Sequence, residues 1–286
     1  MMRCFSLCSL AVILHNVEIV MRKYWHVVKI GFENTLVYRV NFLFRAGFGL
    51  IPLLATIYLW QTIYRGQTSP VGDYSLAGMI SYYLLVTIVD TLTAVNEDDW
   101  QIAADIKDGN ISQFLLKPID YLSYRLCLFL SGKIIFTAVS LIPVGIFVFC
   151  LRRYLVAPAG GWALVCFVWS TMLAALLQFF MSYTMALLAF WLLEVSTVIF
   201  IAFALEYLAG GHVFPLNILP PALEQALNCT PFPYVLFFPV SIYLGQAHGA
   251  ALWSGLAMQA AWLMFFYLLA QTVWRRGIRK YSAVGG

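Results

Sequence analysis

The sequence has few charged residues for its length. Only 10% of the 286 residues are Asp, Glu, Lys or Arg, 62% are hydrophobic, and the mean hydropathy is +0.84. An average soluble domain is about 25% charged. So few charges cannot cover a water-facing surface, and the composition therefore predicts an integral membrane protein whose exterior mostly faces lipid.

Residue patterns that bind metals or cofactors are also missing. The six cysteines form no C-x-x-C pair, and the histidines are scattered at His15, His26, His212 and His248. No zinc, haem or iron–sulfur spacing is present. A membrane enzyme would need catalytic side chains around one cavity, so this class is the least favoured, and we expect no catalytic residue, metal or cofactor on the chain. The net charge of +4 does not indicate a nucleic-acid partner.

A phosphate-binding loop is absent from the sequence. That loop needs G-x-x-x-x-G-K-[ST], whose backbone amides surround phosphate. Ser131-Gly132-Lys133-Ile134 lacks both the upstream glycine and the hydroxyl. If the protein uses ATP, another polypeptide must hydrolyse it.

The first residues, 1–21, are an uncertain N-terminal extension. They are fairly apolar, with Arg3 and no small-residue cleavage site ahead of Met21, so they make a poor signal peptide. Met21-Arg22-Lys23 resembles a natural start, and the alternative is an extra interfacial segment.

Residues 22–286 are predicted to form one membrane domain, because their apolar runs are long enough to cross a bilayer. Six transmembrane helices are predicted, at about 42–64, 76–97, 128–150, 162–192, 196–211 and 250–274, with the third broken by Pro143. Six crossings place both termini on one side. Of the 17 Lys and Arg residues, all but Arg65, Arg152 and Arg153 fall on the side of the termini and of 98–125, which the positive-inside rule makes cytoplasmic.

Residues 23–40 read as an amphipathic helix rather than a span. Lys23, His26, Lys29 and Glu33 recur at helical spacing, and Tyr24, Val28, Phe32 and Leu36 line another face. We expect this helix to lie in the membrane interface, with a packed helix of a soluble segment as the alternative.

Two segments between spans carry the most information. Residues 212–249 are apolar but contain six prolines, which exclude a straight lipid-facing helix. We read them as a re-entrant hairpin of two short helices in the outer leaflet: Pro220 and Pro221 open the first, around 222–228, and Pro231 and Pro233 separate it from the second. The alternative is a structured external loop.

The other segment is Asp98–Arg125. Trp100, Ala103 and Ile106 form an apolar stripe, Gly109 fits a helix end, and a second short helix would bury Ile111, Phe114 and Leu115 before Lys117-Pro118. Such a helix either docks in a partner's groove or rests on the bilayer.

Several motifs resemble those of type-2 ABC exporter permeases. They are D-I-K-D-G-N-I-S-Q-F-L-L-K-P-I-D-Y from Asp105 to Tyr121, Phe190-Trp191 with Glu194, G-G-H-V-F-P-L-N-I-L-P from Gly210 to Pro220, and P-F-P-Y from Pro231 to Tyr234. The resemblance covers 22–280 and is nearest to bacterial permeases encoded beside a second permease and a separate ATPase.

The resemblance implies an all-α permease with six spans, an N-terminal interfacial helix, a cytoplasmic coupling helix and an outer hairpin. Its implied partners are a dimer of ABC ATPase subunits, which bind ATP and Mg, a second homologous or identical permease, and membrane lipid. The implied location is the bacterial inner membrane. The implied coupling contacts are Asp105, Ile106, Asp108, Gly109, Phe114 and Leu115, and the implied hairpin-shaping residues are Pro215 and Pro220.

Ionisable residues inside spans are costly and therefore informative. Asp90 and Lys133 fall near the cytoplasmic ends of spans two and three, and Glu206 near the outer end of span five. We expect Asp90 and Lys133 to pair or to face a water-filled vestibule. The alternative is a snorkelling Lys133 and a lone structural Asp90. Glu206 is a candidate pathway or hairpin contact.

The favoured function is the permease subunit of an ATP-driven exporter, forming half of the substrate pathway. The alternative is a stand-alone secondary transporter or channel, which would need several buried acids near the midplane. The substrate is not readable, because the aromatic content suits an apolar or amphipathic compound as well as ordinary lipid packing.

Overall fold

The computed structural model describes residues 22–34, 36, 39–66, 72, 74–95, 98–192 and 194–281. The predictions for residues 1–21 fall outside these ranges. The described part of the chain is all helical, with no β-strand. The helices are α1 (22–34), α2 (Arg39–Arg65), α3 (Leu76–Thr93), α4 (Asp98–Lys107), α5 (Ile111–Leu115), α6 (Tyr121–Cys150), α7 (Gly161–Ala186), α8 (Val195–Ala209), α9 (Pro221–Asn228), α10 (Phe237–Tyr243) and α11 (Gly249–Lys280).

Within the described residues, five helical stretches are long and apolar enough to cross a membrane. They are Gly47–Arg65, Leu76–Thr93, Tyr121–Cys150, Gly161–Phe190 and Gly249–Lys280. They coincide with five of the six predicted spans. The third starts earlier than predicted, because Asp120 caps α6 by accepting a hydrogen bond from the backbone N–H of Ser123.

The predicted span at 196–211 differs from the others. It corresponds to α8, which is apolar but has only 15 residues. At about 1.5 Å per residue it is roughly 22 Å long, shorter than the hydrocarbon core of about 30 Å. The count of six spans therefore stays a prediction, and the described residues show five full-length candidates and one shorter apolar helix.

The predicted break at Pro143 is wrong, because α6 is continuous through this residue. Proline removes one backbone donor and crowds the preceding turn, but in membranes the surrounding structure tolerates it. Sequence alone could not show this tolerance.

The connections between the long helices gather at two opposite ends of the bundle. At one end, the hydroxyls of Ser112, after α4, and Tyr281, after α11, are 3.0 Å apart. At the other end, Tyr74 donates to Gln246 (2.9 Å), and the N–H of Ala159 donates to the carbonyl of Tyr243 (3.2 Å). The 98–120 segment and the basic end of α11 therefore share one end, and the proline-rich segment occupies the other.

Helix α7 is the centre of the packing. It contacts α3, α4, α8, α10 and α11, and more than half of the residues in its most apolar stretch are buried. By contrast, α2 and α8 turn large apolar side chains outward, among them Phe48 and Tyr58 on α2 and Phe200 and Leu205 on α8. In a membrane protein, such faces contact lipid or another subunit.

Helix α1 packs one side against α6. Val27 and Gly31 are buried, and a Cβ on Gly31 would come within 2.1 Å of the Ser131 hydroxyl oxygen. His26, Lys29 and Glu33 lie on the exposed side, as the amphipathic pattern predicts, but Leu36 is exposed as well. The interfacial location of α1 stays a prediction.

Candidate functional site

The segment between α3 and α6 forms a helical hairpin at the end of the bundle that also holds the end of α11. Helix α4 ends at Lys107, and α5 begins at Ile111. Between them Gly109 has φ +77°, a backbone conformation that side chains with a Cβ rarely adopt. The expected turn at Gly109 is therefore present, with a physical reason for its glycine.

The inner face of this hairpin is apolar and tightly packed. Ile102, Ala103, Ile106 and Ile111 are buried, and α4 contacts α7 and the turn at Leu187–Phe190. Two expected members of the inner face are exposed instead. Trp100 is 44% exposed, because the rotation of α4 places Ile102 rather than Trp100 against the bundle. Leu115, the last residue of α5, is 48% exposed.

A buried charged network ties the hairpin to the long helices. Arg125 on α6 is only 4% exposed, and its guanidinium group forms an ion pair with Asp105 on α4. Its Nε donates to the Tyr121 hydroxyl (3.0 Å), which in turn donates to Asp105 (2.9 Å), and its Nη1 lies 3.4 Å from Gln101 Oε1. A buried charge needs this degree of pairing to be tolerated.

Aromatic rings extend the same network. Tyr121 stacks on Trp274 of α11, with ring centroids 4.9 Å apart and nearly parallel planes. Phe114 of α5 packs between Tyr121 and Tyr124, at 5.2 and 4.9 Å. A displacement of α4 or α5 would therefore disturb contacts with α6 and α11.

The implied coupling residues divide into two groups. Asp105, Ile106 and Phe114 face the bundle, whereas Asp108 and Leu115 face outward, with Gly109 in the turn between them. The structure adds Leu116, which is 88% exposed and lies beside exposed Lys117 and Pro118. The sequence signal for this apolar tip is the pair of adjacent leucines followed by Lys-Pro, although Leu115 was expected to be buried and no prediction was made for Leu116.

Of the two arrangements expected for Asp90 and Lys133, the pair is not present among the described contacts, and the water-filled vestibule stays a prediction. Asp90 lies 3.4 Å from Nε2 of His212, and Lys133 donates to the carbonyl of Ala94 (2.5 Å), just after α3. Asp90 and Lys133 therefore do not pair with each other. Lys133 reaches the end of α3 because carbonyls there lack helical partners, and His212 takes the place beside Asp90.

Asp90 instead faces a cavity of about 180 Å³ between α3, α7 and α8. Glu206, Gln178 and His212 also line it, and Gln178 Nε2 donates to Glu206 Oε2 (3.0 Å). Sequence reasoning named Asp90 and Glu206 but missed Gln178 and His212, which approach them only through folding. Among the described residues, no group of three or more His, Cys, Asp or Glu side chains is arranged to hold a metal ion.

The proline-rich segment is held against α3 by tyrosine hydroxyls. Tyr82 and Tyr83 each donate at 2.6 Å, to the carbonyls of Gly211 and Val213, and Tyr74 lies 3.1 Å from Asn217 Oδ1. Pro215 is buried and precedes a short 3-10 turn. Pro220 and Pro221 begin α9, where the missing N–H of proline costs no helical bond.

This segment therefore contains two short helices, α9 and α10, separated by the turn at Phe232–Tyr234. Gln259 of α11 links the turn to α7: its Nε2 donates to the carbonyls of Tyr234 (2.8 Å) and Ser170 (2.9 Å). The re-entry of the segment into the membrane stays a prediction.

The comparisons with known proteins agree with this architecture. The family model for ABC-2 family transporter proteins matches residues 50–285, which include every long helix after the first part of α2. No curated protein and no solved structure matches the chain. The matched region contains the α4–α5 hairpin, the polar cavity and the proline-rich segment. This chain belongs to the ABC-2 transporter family and is a multi-pass membrane permease of an ABC transporter.

Proposed function

We propose that this chain is the permease subunit of an ATP-driven exporter of the bacterial inner membrane, and that it forms half of the substrate pathway. It binds a separate ATPase, which holds ATP and Mg, through residues 98–125. The observation that carries this proposal is the α4–α5 hairpin. Its inner side contacts α6, α7 and α11, and its tip exposes apolar side chains.

An exposed apolar tip beside polar residues has the chemistry of a docking element. Leu115 and Leu116 would fill an apolar groove of the partner, while Asp108 and Lys117 lie at its polar edge. Because Arg125 and Tyr121 connect this hairpin to α6 and α11, movement of the docked partner would be transmitted into the membrane helices.

The proposed orientation places both termini and the hairpin in the cytoplasm. The hairpin and the basic last turn of α11, with Arg279 and Lys280, lie at the same end of the bundle. Positive residues favour the cytoplasmic side. The outward-facing apolar side chains of α2 and α8 suit contact with a second permease, identical or homologous.

The test is co-purification of the full chain with the ATP-binding subunit encoded beside it. Leu116→Asp and Leu115→Asp should abolish recovery of the ATPase, because each puts a charge into the apolar contact. The matched control is Leu223→Asp on α9, since Leu223 is also 48% exposed but lies at the opposite end of the bundle. Unchanged recovery with both hairpin variants would exclude the hairpin as the docking element.

The second candidate is a secondary transporter that works without ATP. The cavity containing Asp90, Glu206 and His212 is the observation that favours it, because acidic residues within membrane-spanning helices are typical of ion-coupled carriers. Transport assays in proteoliposomes decide between the two. Strict dependence on ATP and the co-purified subunit supports the exporter, and transport by the lone chain under an ion gradient supports the carrier.

A further inference from the structure

Two cavities lie side by side against one face of α8. The first, called here the acidic cavity, has a volume of about 180 Å³ and contains Asp90, Glu206, Gln178 and His212. The second, the apolar cavity, has a volume of about 150 Å³ and is lined mainly by Met181, Met185, Ile199, Phe232 and Phe266. Phe203 and Glu206 line both, so a ligand that contacts Glu206 lies next to both compartments.

The acidic cavity is lined by two acidic side chains, Asp90 and Glu206. None of the lining residues that the structure describes is Lys or Arg. Glu206 accepts a hydrogen bond from Gln178, and Asp90 has the 3.4 Å contact with His212. The side chain of Asp90 is 51% exposed, so the cavity is open on the side of Asp90 and a cation can reach both acidic side chains. A bound cation would be attracted by both acidic groups.

The unsatisfied atoms of the cavity specify what kind of cation fits. Gln178 is 3% exposed, and its Oε1 has no hydrogen-bond partner among the described residues. The same holds for Nδ1 of His212. The amide oxygen of Gln178 only accepts, so it is free to accept a hydrogen bond from a donor on a ligand.

The volumes limit the size of the ligand. An apolar cavity of about 150 Å³ holds a molecule of the size of benzene. The apolar cavity is therefore large enough for a ring or short alkyl chain, and the acidic cavity for an ammonium group with its nearest carbons. The methionine side chains in the apolar wall adapt to varied shapes.

We propose that the two cavities together bind a protonated primary or secondary amine with a compact apolar body. The ammonium group lies between Asp90 and Glu206 and donates to Gln178 Oε1, and the apolar body lies beside Phe203 in the second cavity. This inference rests on the proposed export function only where it names such amines as the transported substrate class.

The experiment measures binding to the full chain in lipid nanodiscs by isothermal titration calorimetry, with 2-phenylethylamine as the probe. Two analogues of similar shape are compared with it. Neutral 2-phenylethanol lacks the charge, and trimethyl(2-phenylethyl)ammonium keeps the charge but has no N–H donor. Since a charge-assisted hydrogen bond is lost with each analogue, we expect both to bind at least about tenfold more weakly than the amine.

Variants locate the site. Glu206→Gln and Gln178→Met should each weaken binding of 2-phenylethylamine at least about tenfold, since each removes one contact to the ammonium group. The control is Glu224→Gln, because Glu224 is a partly buried carboxylate on α9 that lines a different cavity. If Glu206→Gln does not fold, as judged by size-exclusion chromatography, Asp90→Asn on α3 tests the same cavity.

Equal affinity for the amine and the alcohol would overturn the inference, and so would unchanged affinity in the cavity variants. Equal affinity for the quaternary analogue would overturn the role of Gln178. The assay contains no ATPase, so these failures leave the proposed exporter function untouched. Conversely, loss of ATPase docking would overturn that function without changing amine binding.

Discussion

The guanidinium group of Arg125 on α6 binds the carboxylate of Asp105 on α4 inside the protein. Twenty residues separate the two positions, and the turn around Gly109 lies between them. The pair therefore fixes the α4–α5 hairpin to the start of a membrane helix. It makes the hairpin a rigid extension of the bundle rather than a loose loop.

Removing one member of this pair should be costly. Arg125→Leu leaves Asp105 with only the Tyr121 hydroxyl and should lower the free energy of unfolding by about 3–5 kcal/mol, as for other broken buried pairs. Thermal unfolding in detergent measures the effect. The double variant Asp105→Leu/Arg125→Leu should recover part of the loss, because it leaves no unpaired charge. A double variant less stable than Arg125→Leu would contradict this account.

Gly277 of α11 is required by its contact with Phe190. A Cβ at this position would lie 2.3 Å from Cδ2 of the Phe190 ring, which is too close for two non-bonded carbon atoms. Gly277→Ala should therefore destabilise the protein by about 1–3 kcal/mol. The control is Gly145→Ala in α6, where a Cβ meets nothing within 4 Å and should stabilise the helix by about 0.5–1 kcal/mol. Equal melting temperatures for the two variants would refute the contact.

Gln259 joins three parts of the bundle through its side-chain amide. It is fully buried, accepts from the Ser170 hydroxyl (3.0 Å) and donates to the carbonyls of Ser170 and Tyr234. Gln259→Leu keeps a similar volume but leaves these partners without their hydrogen bonds, so we expect the free energy of unfolding to fall by about 1–3 kcal/mol. Chemical denaturation checks it, with the exposed Gln225→Leu on α9 as control. A loss no greater than that of the control would show that the bonds contribute nothing.

The proposed orientation predicts which cysteines react from outside the cell. In a variant whose only cysteine is Cys229, which is exposed, a membrane-impermeant maleimide should label intact cells with an opened outer membrane. A variant whose only cysteine is introduced by Leu116→Cys should react only after the inner membrane is permeabilised, because residue 116 lies at the cytoplasmic tip. The reverse pattern would invert the topology.

The sequence was most informative where a residue's role is local. Gly109 between two short amphipathic patterns predicted the turn between α4 and α5, and Pro220-Pro221 predicted the start of α9. Backbone conformation at such positions depends on the residue itself, so no tertiary information is needed.

The sequence was least informative where side chains from distant positions meet. Asp90 and Lys133 were expected to pair or to face a vestibule because both lie near the inner ends of their predicted spans, yet His212, more than 100 positions away, lies beside Asp90. Gln178 gave no signal because a single amide in an apolar run is unremarkable until Glu206 packs against it.

The apolar runs of the sequence were enough to predict a helical membrane protein and the position of most of its long helices, because lipid requires long apolar runs that satisfy their own backbone hydrogen bonds. Which faces of those helices meet became known from the packing of the folded chain. It buried Ile102 and exposed Leu115 and Leu116, and it gathered Asp90, Gln178 and Glu206 around one cavity. In a chain that is apolar on almost every side, hydrophobicity cannot distinguish a face that meets lipid from one that meets protein, so packing alone makes that choice.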